Sequence, residues 1–385
     1  MKAFIRGLCF VAAAYANYCE GAETAALQAL QTVLEDRAAT GWFSGQVAIR
    51  AGDDHFVAAL GKADLARNLP MKSDTPLSIG SIGKIFVAVS LLQLRLDGKL
   101  SFDDALITYI PELTDMVTPE LTLTHLLSHT SGLRDVTSRA NIERLKGARD
   151  NHDLFVLASE MTPMALPGEA FKYTNANFMI LGEVIARVSG QQFESYLQEH
   201  IFEPAGMNHT RMIRAGNRDA GPIAINYMDL PRREAMRIQF DPDVRRAFAK
   251  RSAAGEKVTS FIHEAPVFGG GMIANGAGGT YSTATDMLRF ATGLRTGLFV
   301  PPMEFEELCT PRHQRESGSR YGLGCVTRGN GPTRSIGHGG GTFGMQSWLL
   351  LFPESELELV VMSNHHLQAD PIVNAVVEAI QTSSP

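Results

Sequence analysis

Three short segments of this chain carry residue types that can do nucleophilic chemistry. Ser81-Ile-Gly-Lys84 places a hydroxyl and an amine three residues apart. On one helix that spacing sets both side chains on the same face, about a turn apart. A serine at a helix N-terminus also meets free N–H groups and the positive end of the helix dipole, which favour an alkoxide and then a tetrahedral oxyanion. A lysine beside it can accept or relay the hydroxyl proton. The pattern is short enough to arise by chance, and a serine at a helix start is more often only a cap. Of the nine lysines in the chain, however, Lys84 alone has a serine three positions before it.

Tyr173-Thr-Asn175 is the second segment. A phenol can act as general base or acid, and an amide two residues on can hold a substrate carbonyl. The plainer reading is a tyrosine packed at a turn with Asn175 capping the next helix. The third segment, His338-Gly-Gly-Gly341, leads toward an apolar run at Ser347. Glycines there let a backbone approach a ligand closely, and a free N–H can complete an oxyanion hole. Its plain reading is a glycine turn bearing a surface histidine. Competing motifs are missing: no serine lies in G-x-S-x-G, and His263-Glu264 lacks the second histidine of a zinc peptidase.

The elements that must position these groups are legible from periodicity. Residues 22 to 37 repeat apolar positions at helical spacing. Residues 45–50 and 55–60 flank Ala51-Gly-Asp-Asp54 and predict a β-hairpin. The extended stretch 75–79 turns into a helix after Ser81 that stops at Asp97-Gly98. Helical patterns then run to about Glu203, residues 211 to 264 are irregular and charge-rich, and 347–352 and 357–362 predict two strands before a final helix over 371–381. Strands at both ends and helices between them predict an α/β (α+β) fold, in which an antiparallel sheet is built from both chain ends, flanked by helices and interrupted by a mostly helical insertion at about 98–265.

Taken in this order, the three motifs resemble the serine penicillin-recognising superfamily, its class C β-lactamase-like branch above all, which groups β-lactamases, D-alanyl-D-alanine carboxypeptidases, esterases and D-aminopeptidases. Leu126-Leu-Ser-His-Thr-Ser-Gly-Leu133, Gly278-Gly-Thr-Tyr-Ser-Thr283 and Tyr321-Gly-Leu-Gly324 look like that branch too, so the likeness covers about 24 to 380. It implies Ser81 as the acylated nucleophile, Lys84 as its proton partner and Tyr173 as general base or acid. Asn175, His338 and Gly340 would bind substrate, and the N–H groups of Ser81 and Gly341 would form the oxyanion hole. The expected proton cycle has Tyr173, held as phenolate by Lys84 with help from His338, taking the Ser81 proton. No metal or cofactor is implied.

Two departures bear on substrate. Where the third motif usually carries Thr or Ser, this chain has Gly339, which weakens carboxylate recognition. His338 replaces a permanent cation with a group that titrates near pH 6.5 when unperturbed. The expectation is therefore a serine hydrolase for carboxylic esters or D-amino-acid peptides and amides. A β-lactamase or carboxypeptidase is the alternative, and would need a basic side chain reaching the position Gly339 leaves open. From another class, a non-catalytic binding or sensor protein would keep the fold without turnover.

With 35 Lys and Arg against 41 Asp and Glu, the net charge of −6 disfavours nucleic acid as a partner. The expected partner is a small molecule or short peptide. Lys2 and Arg6, an apolar run from Leu8 and a small-residue close at Ala14-Tyr-Ala16 follow the signal-peptide order, so residues 1–21 are expected to direct export to the periplasm or medium, with 22–385 as the hydrolase domain. Cys19 follows the bulky Tyr18 and is not expected to be lipidated. No later run is long enough for a transmembrane helix. Cys309 and Cys325 fit a disulfide or two buried thiols equally well. Oligomeric state is left open.

Overall fold

A computed structural model describes residues 22–40, 43–113, 117–136, 141–213, 223–228, 263–264, 275–342, 344–366 and 368–383. The expected export segment 1–21 and most of the 211–264 stretch lie outside these residues. The main sheet has eight strands: β1 (Gly45–Ala51), β2 (Asp54–Leu60), β3 (His313–Gln314), β4 (Arg320–Tyr321), β5 (Val326–Arg328), β6 (Ser335–Thr342), β7 (Met345–Phe352) and β8 (Leu357–Ser363). Their spatial order is β3-β4-β5-β6-β7-β8-β1-β2, and every pairing is antiparallel. The first and last strands, β1 and β8, pair directly, Gly45 opposite Ser363 and Ala51 opposite Leu357. The sheet predicted from both ends is thus the observed one.

Side-chain alternation gives the sheet two different faces. Val47, Ile49, Leu350, Phe352, Leu359 and Val361 point to one side, where α1 (Ala22–Thr40) and α5 (Asp370–Ser383) cover them. Ala48, Ile336, Leu349, Leu351, Val360 and Met362 point to the other, against α2 (Gly83–Leu96), α3 (Asn175–Ser189) and α4 (Ala284–Thr296). Every residue of α2 from Gly83 to Leu92 is buried, as its nearly unbroken apolar sequence requires.

Among the described residues of 98–265, short helices at Leu123–Leu127, Ile142–Gly147, Asn151–Ser159 and Phe193–Leu197 surround α3, and two-residue strands lie at Arg211–Met212, Tyr227–Met228 and His263–Glu264. A small antiparallel sheet sets Thr280–Ser282 between Leu77–Ser78 and Arg211–Met212. It brings the residues just before Ser81 beside those just after Ala277, and Ile79 N–H donates to Thr280 O at 3.1 Å. Cys309 and Cys325 are joined in a disulfide, which decides the alternative left open by the sequence. Among the described residues, no helix is long and apolar enough to cross a membrane.

Candidate active site

Ser81 sits in a single 3-10 turn, Gly80–Ile82, that runs directly into α2. Its N–H therefore belongs to a first helical turn, where backbone donors have no intrahelical acceptor. Gly80 makes the entry: its φ of +53° lies in the left-handed region. Ser347 Oγ pins the preceding residue by donating to Ile79 O at 2.8 Å. One turn on, Lys84 is wholly buried. Its Nζ lies 3.1 Å from Ser81 Oγ, 2.9 Å from Asn175 Oδ1 and 2.9 Å from Ala277 O.

Two of those three partners can only accept. An ammonium on Lys84 donates its third hydrogen to Ser81 Oγ, whereas a neutral amine turns its lone pair to the hydroxyl. Passing the Ser81 proton to Lys84 converts one arrangement into the other with no movement of heavy atoms. The amide that holds this geometry is itself held, since Asn175 N–H and Nδ2 both donate to Asp135 Oδ2, at 3.2 and 3.4 Å. That contact fixes which end of the amide faces Lys84. Asn175 does not cap α3: Thr174 does, accepting from Ala176 N–H, which leaves the Asn175 side chain for Lys84. The ring of Tyr173 flanks the amine, with its centroid 5.0 Å from Lys84 Nζ.

His338 is not the surface group of a glycine turn. It stands within β6, 4% exposed, on the sheet face that looks toward α2. Tyr321 connects it to His129, and both of these are wholly buried. Thr174 N–H donates to His129 Nδ1 at 3.3 Å, so the His129 proton resides on Nε2 and points at Tyr321 Oη, 3.1 Å away. At the far end, Gly339 O can only accept, so His338 carries its proton on Nδ1, 2.6 Å from that oxygen. The Tyr321 hydroxyl must then donate to His338 Nε2, at 3.3 Å. Both histidines are neutral in this chain of bonds, and burial agrees. It pushes His338 down to about 3, with Lys84 adding repulsion, and it holds His129 well below the usual range. Burial likewise raises Tyr321 well above the usual phenol range.

This corrects the expectation for His338. It is not a group titrating near neutrality that helps hold Tyr173 as phenolate, and both of its nitrogens are already engaged within the protein. His129 adopts a left-handed φ of +58°, a conformation that costs a non-glycine residue roughly 1–2 kcal/mol. Lys172 N–H donating to its carbonyl at 2.8 Å helps fix it.

The glycines of β6 have separate reasons. A Cβ on Gly340 would lie 1.9 Å from Ile79 O and 2.4 Å from Ser347 Oγ, so only glycine lets β6 meet the turn bearing Ser81. A Cβ on Gly339 would point to the other sheet face, 2.7 Å from the Trp348 ring. The missing hydroxyl residue is thus excluded by the indole. Gly341 is exposed and open, and its N–H lies 3.0 Å from where a Cβ on Gly80 would stand. Pairing of β6 with β5 ends at Gly337, so this edge faces the Ser81 turn instead of another strand.

A family model described as Beta-lactamase matches residues 30–381. The chain belongs to that family. It is 30% identical over 307 residues to Esterase EstB of Burkholderia gladioli, covering 74% of this chain and 73% of the relative. It is 29% identical over 283 residues to PbpX of Bacillus subtilis, covering 73% of this chain but only 61% of PbpX. Among solved structures, a penicillin binding protein from Bacillus halodurans superimposes with a TM-score of 0.72 at 26% identity, over 90% of this chain and 98% of that one. The chain's relatives also include a D-aminopeptidase of Cereibacter sphaeroides, 25% identical over 341 residues, covering 87% of this chain and 59% of the relative.

The structure brings Ser81, Lys84, Tyr173, Asn175, His338, Gly340 and Gly341 together around the turn that carries Ser81. Sequence reasoning marked the segments holding His129 and Tyr321 without giving either residue a task, and it missed Asp135 and Ser347. These act through partners remote in sequence, and no spacing rule reports them. Among the described residues, no cluster of three His, Cys, Asp or Glu side chains could hold a metal ion.

Proposed function

We propose that the chain is an exported serine hydrolase that cleaves carboxylic esters or D-amino-acid peptides and amides through an acyl-enzyme on Ser81. The observation that carries this reading is Lys84 Nζ, buried and donating to two obligate acceptors while facing Ser81 Oγ at 3.1 Å. As the substrate carbonyl arrives, the Ser81 proton moves to Lys84 and the Oγ–C bond forms. The resulting oxyanion accepts from the N–H groups of Ser81 and Gly341. Tyr173, beside Lys84, returns a proton to the departing alcohol or amine, and the bond to the leaving group breaks. Water then attacks the acyl carbon and gives its proton to the Tyr173 phenolate, the Oγ–C bond breaks as Ser81 Oγ takes back the proton held by Lys84, and the acid leaves.

The esterase relative supports the ester arm, and the D-aminopeptidases of the family support the amide arm. Export is supported by the N-terminal order of charges and apolar residues and by the buried disulfide, which suits an oxidising compartment. The test is intact mass and peptide mapping after exposure to a fluorophosphonate, alongside rates on a short-chain p-nitrophenyl ester and D-alanine p-nitroanilide. One adduct on the peptide holding Ser81 is expected. Hydrolysis retained by a clean Ser81→Ala preparation would falsify the nucleophile.

A further inference from the structure

Three buried side chains that the proton cycle does not use join two of the segments that it does. Thr174, whose N–H opens the line of bonds, stands between Tyr173 and Asn175, and Gly339, whose carbonyl closes it, stands directly before Gly340 and Gly341. Every hydrogen along the line points the same way, from Thr174 N–H to His129, from His129 to Tyr321, from Tyr321 to His338 and from His338 to Gly339 O. His129 belongs to the insertion, two residues after the helix Leu123–Leu127, whereas Tyr321 and His338 belong to β4 and β6 of the main sheet. The line therefore crosses from the insertion to the sheet, and Tyr321 Oη is the atom at the crossing.

Apolar side chains would fill this space with no desolvated donor left to satisfy. A buried polar network whose members are all satisfied does something packing alone does not: it fixes directions as well as distances. The Tyr173 ring rests against all three members, its centroid 4.2 Å from that of His129, 6.1 Å from Tyr321 and 6.4 Å from His338. Tyr321 is itself well anchored. The Cys309–Cys325 disulfide closes the segment that carries it, and Gly324 N–H donates to Leu127 O at 3.0 Å beside it.

We infer that Tyr321 is a positioning residue: its hydroxyl, accepting from His129 and donating to His338, sets the separation between the Tyr173–Asn175 segment and the Gly339–Gly341 edge of β6. The kinetic consequence rests on the Ser81 reading, in which these two segments serve two substituents of one tetrahedral carbon, the leaving group and the oxyanion. Both must be met at once, so a displacement of about 1 Å costs on the order of 10²-fold in rate. Tyr321→Phe removes the hydroxyl and keeps the ring. His129→Asn is the second break, since asparagine accepts a left-handed φ but is too short to join Thr174 to Tyr321. Hydrogen–deuterium exchange of the intact chain, read by mass spectrometry, tests the tie without turnover: in either variant residues 172–176 and 337–342 should exchange about fivefold faster or more, with α1 and α5 unchanged. On a short-chain p-nitrophenyl ester, kcat should fall about tenfold or more while KM stays within about threefold. The double variant should lose no more than the worse single one, because a line broken once is broken throughout. Unchanged exchange at either end, an equal rise in every segment, additive losses in the double variant, or an effect on KM without one on kcat overturns the assignment. Loosening at both ends of a protein whose native form neither hydrolyses the ester nor labels at Ser81 upholds the tie and overturns the nucleophile instead.

Discussion

On the sheet face that α1 and α5 cover, strands β1, β7 and β8 present Val47, Ile49, Leu350, Phe352, Leu359 and Val361 to Leu30, Ile372 and Val376. Across β6 and β7, the opposite face presents Gly340 and Ser347 to the turn that carries Ser81, and His338 to Tyr321. The same antiparallel ladder therefore carries an aliphatic layer on one side and, on the other, a polar lattice set beside the apolar contacts of Ala48, Ile336, Leu349 and Val360 with α2, α3 and α4. The first lowers the free energy of folding through apolar burial, roughly 1.5–3 kcal/mol for each large side chain. The second contains strained or desolvated groups: a left-handed His129, a buried Lys84 and two buried neutral histidines. The candidate site is confined to one face, so substitutions under α1 and α5 should change stability without changing the site.

The largest effect tests the polar face directly. Ser81→Ala should remove about 10⁴-fold or more of kcat while leaving the thermal midpoint nearly unchanged, as read by steady-state rates and calorimetry on one preparation. Gly340→Ala comes next, because its methyl group would meet Ile79 O at 1.9 Å. We expect about 1–3 kcal/mol of destabilisation by denaturant titration, with at least a tenfold loss of kcat/KM as β6 is pushed off the Ser81 turn. Leu30→Ala on the aliphatic face should cost about 2–5 kcal/mol and leave kcat unchanged at a temperature where the protein remains folded. A matching loss of activity there would break the separation.

A finer test uses acid. In the folded chain His338 is depressed to about 3, against about 6.5 when unfolded. Below pH 6.5 the unfolded chain takes up the proton first, so stability from this group is complete above pH 6.5 and is lost as pH falls toward 3. His338→Gln should flatten the fall of the melting temperature between pH 6.5 and 4.5, and an unchanged slope would count against a neutral buried histidine. Smallest of all, Gly341→Ala should shift stability by less than about 0.5 kcal/mol, since its methyl group meets no atom within 4 Å.

Much of the frame could be read in advance. Alternation over 45–60 and 347–362 located the strands of the sheet, and the three-residue gap between Ser81 and Lys84 marked two side chains that the structure sets 3.1 Å apart. Asn175 misled as a cap candidate, because Thr174 beside it is equally able to cap and the deciding contact, Asp135, is 40 residues away. His129, Tyr321 and His338 form their line of bonds across separations of 192 and 17 residues, which leaves no periodic trace. The charge state of His338 was likewise unreadable, since it depends on burial and on Lys84 rather than on neighbours in the chain. Cysteine pairing needed proximity, here a Cα–Cα distance of 4.9 Å, which spacing alone does not supply.

The contact between Gly339 and Trp348 also constrains how this site can evolve. Trp348 donates to Asp370 at 2.7 Å and carries the Arg328 guanidinium 4.5 Å above its ring, so it does not yield easily. A lineage drifting toward a hydroxyl residue at position 339 must first shrink the indole, because the reverse order passes through a sterically blocked intermediate. The two positions are epistatic, and the order of mutational steps is set by one ring.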